Sequence, residues 1–141
     1  MKESKSLLFF YIAWLVAAIA TLGSMFFSEV MKYTPCSMCW YQRIAMYPLV
    51  MILLIGAWKS IKETTLFATP FVLIGWLIAL YHNLLHYKII PESAAPCVQG
   101  VPCSTIYINW FGFITIPILS LTAFTIIGVL LILEKRNRNH A

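Results

Sequence analysis

The sequence predicts an all-α membrane protein: a four-helix transmembrane bundle with both termini cytoplasmic and two extracytoplasmic, cysteine-bearing loops. Three observations carry this. Of the 141 residues, 61% are hydrophobic and 11% charged, against about 45–50% and about 25% in an ordinary soluble domain. The apolar residues gather into four blocks, each long enough at about 1.5 Å per residue to cross a hydrocarbon core of about 30 Å. The charges lie between the blocks and are shared unequally between the two sides. A single integral membrane domain over residues 1–141 is expected. The net charge of +5 points to membrane topology, not nucleic acid, because nucleic-acid binding needs a basic stripe on a water-soluble face.

The first block, Leu7–Phe27, carries no charge. Ala18-Ile19-Ala20 resembles a signal-peptide cleavage site, but the apolar run continues to Phe27, past a typical signal h-region, so an uncleaved span is expected. The second block, Pro35–Trp58, holds one charge, Arg43. The third, Leu66–Tyr87, contains His82 and His86, and the fourth is Trp110–Leu133. Continuous apolar runs favour helices over barrel strands, which alternate. Pro48, Pro70 and Pro117 fall inside blocks, where they are expected to kink the helices without ending them. Around Leu84–Ile90 the pattern weakly signals a short interfacial helix.

Lys/Arg bias sets orientation. Lys2, Lys5, Lys59, Lys62, Lys135, Arg136 and Arg138 share one side, and Lys32, Arg43 and Lys88 the other. The richer side is read as cytoplasmic, in a multi-pass protein of the cell membrane. Ser28–Thr34 and Lys88–Asn109 then face outward.

Cys36, Cys39, Cys97 and Cys103 all fall on the outer side or at its membrane boundary, where disulfides persist. Four cysteines permit three pairings; proximity favours Cys36–Cys39 and Cys97–Cys103. A bridge across two residues constrains the unfolded chain little, so Cys36–Cys39 reads as redox-active more readily than as a staple. A four-thiolate zinc site is disfavoured by the wide Cys97–Cys103 spacing and by the oxidising side, so no metal is expected. Thr34-Pro35 reads as N-cap and first helical residue. Cys36 and Cys39 then lie where the helix dipole favours thiolate. Arg43 falls on the same helical face; alone, it reads equally as a snorkelling arginine.

A dithiol that takes up electrons repeatedly must pass them on. The sequence has no dinucleotide fingerprint and no haem-attachment motif, so a membrane quinone is the economical acceptor. Arg43 and His82 are candidates to bind it; an ionisable residue inside a span is a functional candidate by default. His86 and the aromatic residues read as packing or interface.

Pro35-Cys36-Ser37-Met38-Cys39-Trp40-Tyr41-Gln42-Arg43 resembles the signature of DsbB-type disulfide oxidoreductases. Pro96-Cys97-Val98-Gln99-Gly100-Val101-Pro102-Cys103-Ser104, followed by Tyr107–Phe113, is similar to the BdbC branch of Gram-positive bacteria. The resemblance covers nearly the whole chain. It implies a thiol:quinone oxidoreductase that reoxidises an extracytoplasmic DsbA-like thioredoxin-fold partner. The partner's thiolate would attack Cys97 of a Cys97–Cys103 disulfide. Cys103 would exchange with Cys36, and Cys39 would face the quinone. By the same carry-over, Arg43 supports quinone and thiolate, and His82 lies near the quinone. A Gram-positive host favours menaquinone over ubiquinone. A small transporter fits less well, because no charged group beyond His82 lies deep in a span. A vitamin-K-epoxide-reductase-like enzyme would carry its active pair late in the chain.

Overall fold

The computed structural model describes residues 2–59, 62–95, 102–103, 112 and 114–140. The four apolar blocks become four helices: α1 (Lys2–Glu29), α2 (Ser37–Lys59), α3 (Glu63–His86) and α4 (Ile116–Asn139). Each is long and apolar enough to cross a membrane. α1 packs on α2 and α4, and α3 packs on the same two, so the helices form a four-sided ring. No strand accompanies them among the described residues beyond an isolated bridge residue, Ile114.

The ring is held by one narrow stripe per helix: Phe10, Ala13 and Ala17; Ala45, Met46, Leu49 and Leu53; Ala68, Val72 and Ala79; Ala123, Phe124, Ile127 and Leu131. Within each stripe the spacing follows the helical repeat. Six of these residues are alanine, and small side chains let helices approach closely where lipid supplies no hydrophobic drive. Gly75 faces the Phe124 ring, and Gly56 faces Thr64. Only 17% to 33% of each helix's most apolar window is buried inside the bundle. The remaining apolar surface, including Ile19, Trp58 and Leu66, matches lipid and not water.

Polar side chains gather at the two ends of the ring. At the end holding the chain termini, Glu134 is 1% exposed. It accepts hydrogen bonds from Ser6 Oγ at 3.0 Å and Thr65 Oγ1 at 2.7 Å and pairs with Arg138 at 3.2 Å. One carboxylate thereby ties α1, α3 and α4 together. The other end holds the cysteines.

Three expectations need correction. α4 starts at Ile116, not near Trp110, and runs past Leu133 to Asn139; Trp110 itself lies outside the described residues. Thr115 is extended, and Pro117 occupies the first turn of α4 instead of kinking its middle. A missing N–H costs nothing there, because first-turn donors have no intrahelical acceptor. At the far end the Glu134–Arg138 pair, one turn apart, lets the charged residues continue the helix.

The weak helix signal at Leu84–Ile90 is the end of α3 itself. Lys88 adopts φ 57°. Its N–H bonds to Leu85 O, and the Ile89 N–H bonds to Leu84 O, both at 3.0 Å. This is a Schellman closure with lysine where glycine is usual. Beyond it a 3-10 turn, Glu92–Ala94, is held to α3 by Tyr81 Oη donating to Ala94 O at 3.0 Å. The third correction concerns the start of α2, which bears on the cysteines.

Candidate redox site

α2 begins at Ser37, two residues later than a Thr34 N-cap would place it. The residue before a proline is pushed out of the helical region. Cys36 immediately precedes the helix and takes the N-cap place. Its carbonyl accepts the first helical bond, from Trp40 N–H at 3.1 Å. Cys39 is then the third helical residue. Both sulfurs fall within the first turn, where unpaired N–H groups favour negative charge.

Cys36 and Cys39 are free thiols, with their sulfurs 3.3 Å apart. Cys36, just ahead of the membrane-crossing helix, has its thiol pKa held well below the ordinary value. The main cause is the hydrogen bond with the Cys39 thiol. Contact with His82 and the Cys39 backbone N–H add to it, and burial opposes it.

His82 lies 2% exposed on α3. Its Nε2 is 3.8 Å from Cys36 Sγ and 3.3 Å from the Cys103 carbonyl oxygen. Its Nδ1 is 3.1 Å from Gln42 Nε2. Cys103 is buried and disulfide-bonded. The expected partner, Cys97, lies outside the described residues. Ligating atoms of Cys36, His82 and Cys103 all fall within 4.8 Å of one another. Such a trio has the chemistry of a metal site, but thiolate is the sulfur ligand metals take, and the Cys103 sulfur is committed to its disulfide.

Arg43 sits one turn after Cys39. Its Nε donates to Ser24 Oγ and its Nη2 to Ser24 O, both at 2.8 Å. Its guanidinium carbon lies 5.3 Å from the Trp40 ring centroid. The arginine is thus anchored to α1 as well as carried by α2.

Cys36, Cys39, Gln42, Arg43, His82 and Cys103 all line one cavity of about 450 Å³. Its other walls are mostly apolar and come mainly from α1 and α4, with Val16, Ala20 and Phe27 on the first and Ala123 and Phe124 on the second. Ile19, Leu119 and Ile126 line it too and are exposed on the outside of the bundle, so apolar side chains run from the cavity to the lipid-facing surface. Thr21 Oγ1 lies in this wall, buried and without a hydrogen-bond partner among the described residues.

The structure therefore gathers five of the six residues singled out from sequence: Cys36, Cys39, Cys103, Arg43 and His82. Sequence reasoning missed three others. Gln42 carried a usable signal, as a polar residue inside an apolar span one turn from Cys39. Ser24 and Thr21 carried none, because small hydroxyl residues are ordinary in membrane helices.

A family model described as disulfide bond formation protein DsbB matches residues 5–133. Disulfide bond formation protein C of Bacillus subtilis is 47% identical, over 94% of this chain and 96% of its own length. A probable disulfide formation protein C of Halalkalibacterium halodurans is 50% identical over 87% and 92%. A probable disulfide formation protein of Oceanobacillus iheyensis is 46% identical over 97% and 95%. No solved structure matches.

Proposed function

We propose, from the premise that this chain belongs to the DsbB family of disulfide bond formation proteins, that this membrane disulfide oxidoreductase passes electrons from an extracytoplasmic DsbA-like thioredoxin-fold partner to a membrane quinone. One observation carries the reading. The Cys36 sulfur is within 4.8 Å of the Cys103 sulfur, and the Cys36–Cys39 pair borders a mostly apolar cavity.

The relay takes two net disulfide exchanges, each made of two thiolate attacks. A partner thiolate attacks Cys97 of the Cys97–Cys103 disulfide, and Cys103 leaves as thiolate. Cys103 then attacks Cys36 of the Cys36–Cys39 disulfide, and Cys39 leaves. Each exchange forms one S–S bond and breaks one, so no outside oxidant is consumed. Closure of Cys97–Cys103 and release of the partner's own disulfide leave Cys36 and Cys39 as the dithiol. The disulfide at Cys103 and the free thiols at Cys36 and Cys39 correspond to that stage. The short separation of the Cys36 and Cys103 sulfurs supports direct exchange between the two pairs.

The residues present fit a quinone. A volume of about 450 Å³ is that of a ligand pocket, which is mostly apolar with a few placed polar groups. Arg43 offers cationic donors, His82 offers a ring nitrogen, and the unpartnered Thr21 hydroxyl is a further group able to meet a carbonyl. When bound, quinone supplies the acceptor for the two electrons and two protons released as the dithiol closes. Arg43 would hold negative charge at that end of the cavity, and the apolar walls would exclude water. Menaquinone is the expected acceptor. The cysteine end is assigned to the extracytoplasmic face and both termini to the cytoplasm, as the Lys/Arg bias requires.

The deciding experiment is partner-dependent reduction of defined quinones by purified protein, repeated with each Cys→Ser variant. Loss of turnover in all four variants is expected. Continued quinone reduction by Cys39→Ser would overturn the relay.

A further inference from the structure

Gln42 is a buried residue of the Cys36–Arg43 segment to which the relay gives no task. It is 6% exposed, and its Nε2 lies 3.1 Å from His82 Nδ1. At the opposite corner of the ring, His82 Nε2 lies 3.3 Å from the Cys103 carbonyl oxygen. A carbonyl can only accept, so Nε2 must carry a proton. In the neutral ring Nδ1 is then a lone pair, and Gln42 must turn its NH₂ toward it, as it does. The proton location on a histidine is set by the bond its other nitrogen makes. The Cys103 carbonyl sets the tautomer, and the Gln42 amide turns its NH₂ to match it at the other end of the ring.

That tautomer aims its one N–H at the sulfur exchange. The same Nε2 lies 3.8 Å from Cys36 Sγ and holds the backbone of Cys103 beside it. We propose that Gln42 is a positioning residue that locks His82 in its Nε2–H form, so that the ring donates to Cys36 whenever Cys36 becomes a thiolate during exchange with Cys103. The step is balanced. With Cys36 and Cys103 joined, the Cys97 thiolate attacks Cys103; the Cys97–Cys103 bond forms and the Cys36–Cys103 bond breaks. The electron pair stays on Cys36, no proton is consumed, and His82 Nε2–H meets the new charge. His82 then serves the sulfur pair, and Gln42 serves His82. This rests on the relay proposed above and assigns one of its steps to named atoms.

The test is the pH profile of Cys36 alkylation by iodoacetamide in the reduced, full-length protein, read by mass spectrometry with no partner or quinone added. The titratable groups facing Cys36 are Cys39 and His82, with Arg43 on the same cavity wall. Gln42→Leu removes the donor to Nδ1 and should slow Cys36 alkylation at pH 7 about tenfold, moving the inflection upward. Lost outer partners of a metal-ligating histidine cost about 10–100-fold, and the lower end of that range is expected for a thiolate contact. Gln42→Glu keeps the size and accepts a proton from Nδ1, favouring a ring protonated on both nitrogens. It should therefore keep alkylation at or above the wild-type rate. His82→Ala should match Gln42→Leu, and the double variant should add nothing. Equal loss in Gln42→Leu and Gln42→Glu would reduce Gln42 to packing and overturn the proposal, as would additive effects of Gln42→Leu and His82→Ala. Because the assay needs neither partner nor quinone, a wild-type protein inert toward quinone would sink the relay and leave this result standing.

Discussion

Ser24 grips Arg43 at two points, its hydroxyl and its backbone carbonyl each accepting one guanidinium hydrogen bond at 2.8 Å. An arginine that only snorkelled to an interface would not be braced against a neighbouring helix. Bracing fixes the plane of the guanidinium beside the cavity, which a lysine cannot copy. Ser24→Ala leaves the carbonyl contact and removes the other. The KM for quinone should rise about fivefold, the equivalent of about 1 kcal/mol for one lost hydrogen bond. Arg43→Lys should raise it further while thermal stability barely changes. An unchanged KM in both variants would return Arg43 to the snorkelling role.

Thr21 presents an unpaired buried hydroxyl to the cavity. Such a group costs about 1–3 kcal/mol when nothing meets it. Thr21→Val keeps the shape and removes the hydroxyl. The ligand-free protein should melt at the same temperature or higher, while the KM for quinone increases. Stability that holds or rises while quinone affinity falls separates a ligand contact from a packing defect. Loss of both stability and affinity would indicate a partner within the protein.

Gly75 lies against the Phe124 ring, where an added Cβ would overlap the ring carbons. Gly75→Ala should destabilise the α3–α4 contact by about 1–3 kcal/mol, the usual cost of overpacking. Thermal melting in detergent would register it. Phe124→Leu in the same chain makes room and should restore much of the loss. Failure of the second change to help would mean that the backbone, not the ring, sets the limit.

Glu134 offers a control at the opposite end of the bundle. Glu134→Ala leaves the buried Thr65 hydroxyl without its acceptor and should cost about 2–3 kcal/mol. The ion pair with Arg138, whose side chain is 30% exposed, contributes little of that. Cys36 alkylation should be unaffected, because no cysteine contact passes through this cluster. A shift in its pH profile would reveal coupling along the length of the bundle.

The four spans were legible because apolar length and Lys/Arg spacing are local properties of a chain. Their ends were not. Pro117 reads as an interior proline until the extended Thr115 places it in the first turn. Cys36 reads as a helical residue until the structure places it as the cap, its sulfur beside His82 and Cys103, 46 and 67 positions away in the 141-residue chain. Cys36, Cys39 and Arg43 declared themselves by spacing along one helix. Thr21 and Ser24 did not, since their part depends on which helix stands opposite. His82 was expected beside the quinone. It lines the cavity, and it also touches sulfur, a relation between α2 and α3 that no periodicity encodes.

Ile19 and Ile126, which line the cavity and are exposed on the outside of the bundle, change what "concentration" would mean for a lipid-soluble ligand here. A ligand arriving from the bilayer would travel in two dimensions and keep its tail among acyl chains. Occupancy then follows mole fraction in the leaflet and is indifferent to the volume of water outside. Titrations expressed per litre would drift with the amount of lipid added, whereas titrations expressed per lipid would superimpose.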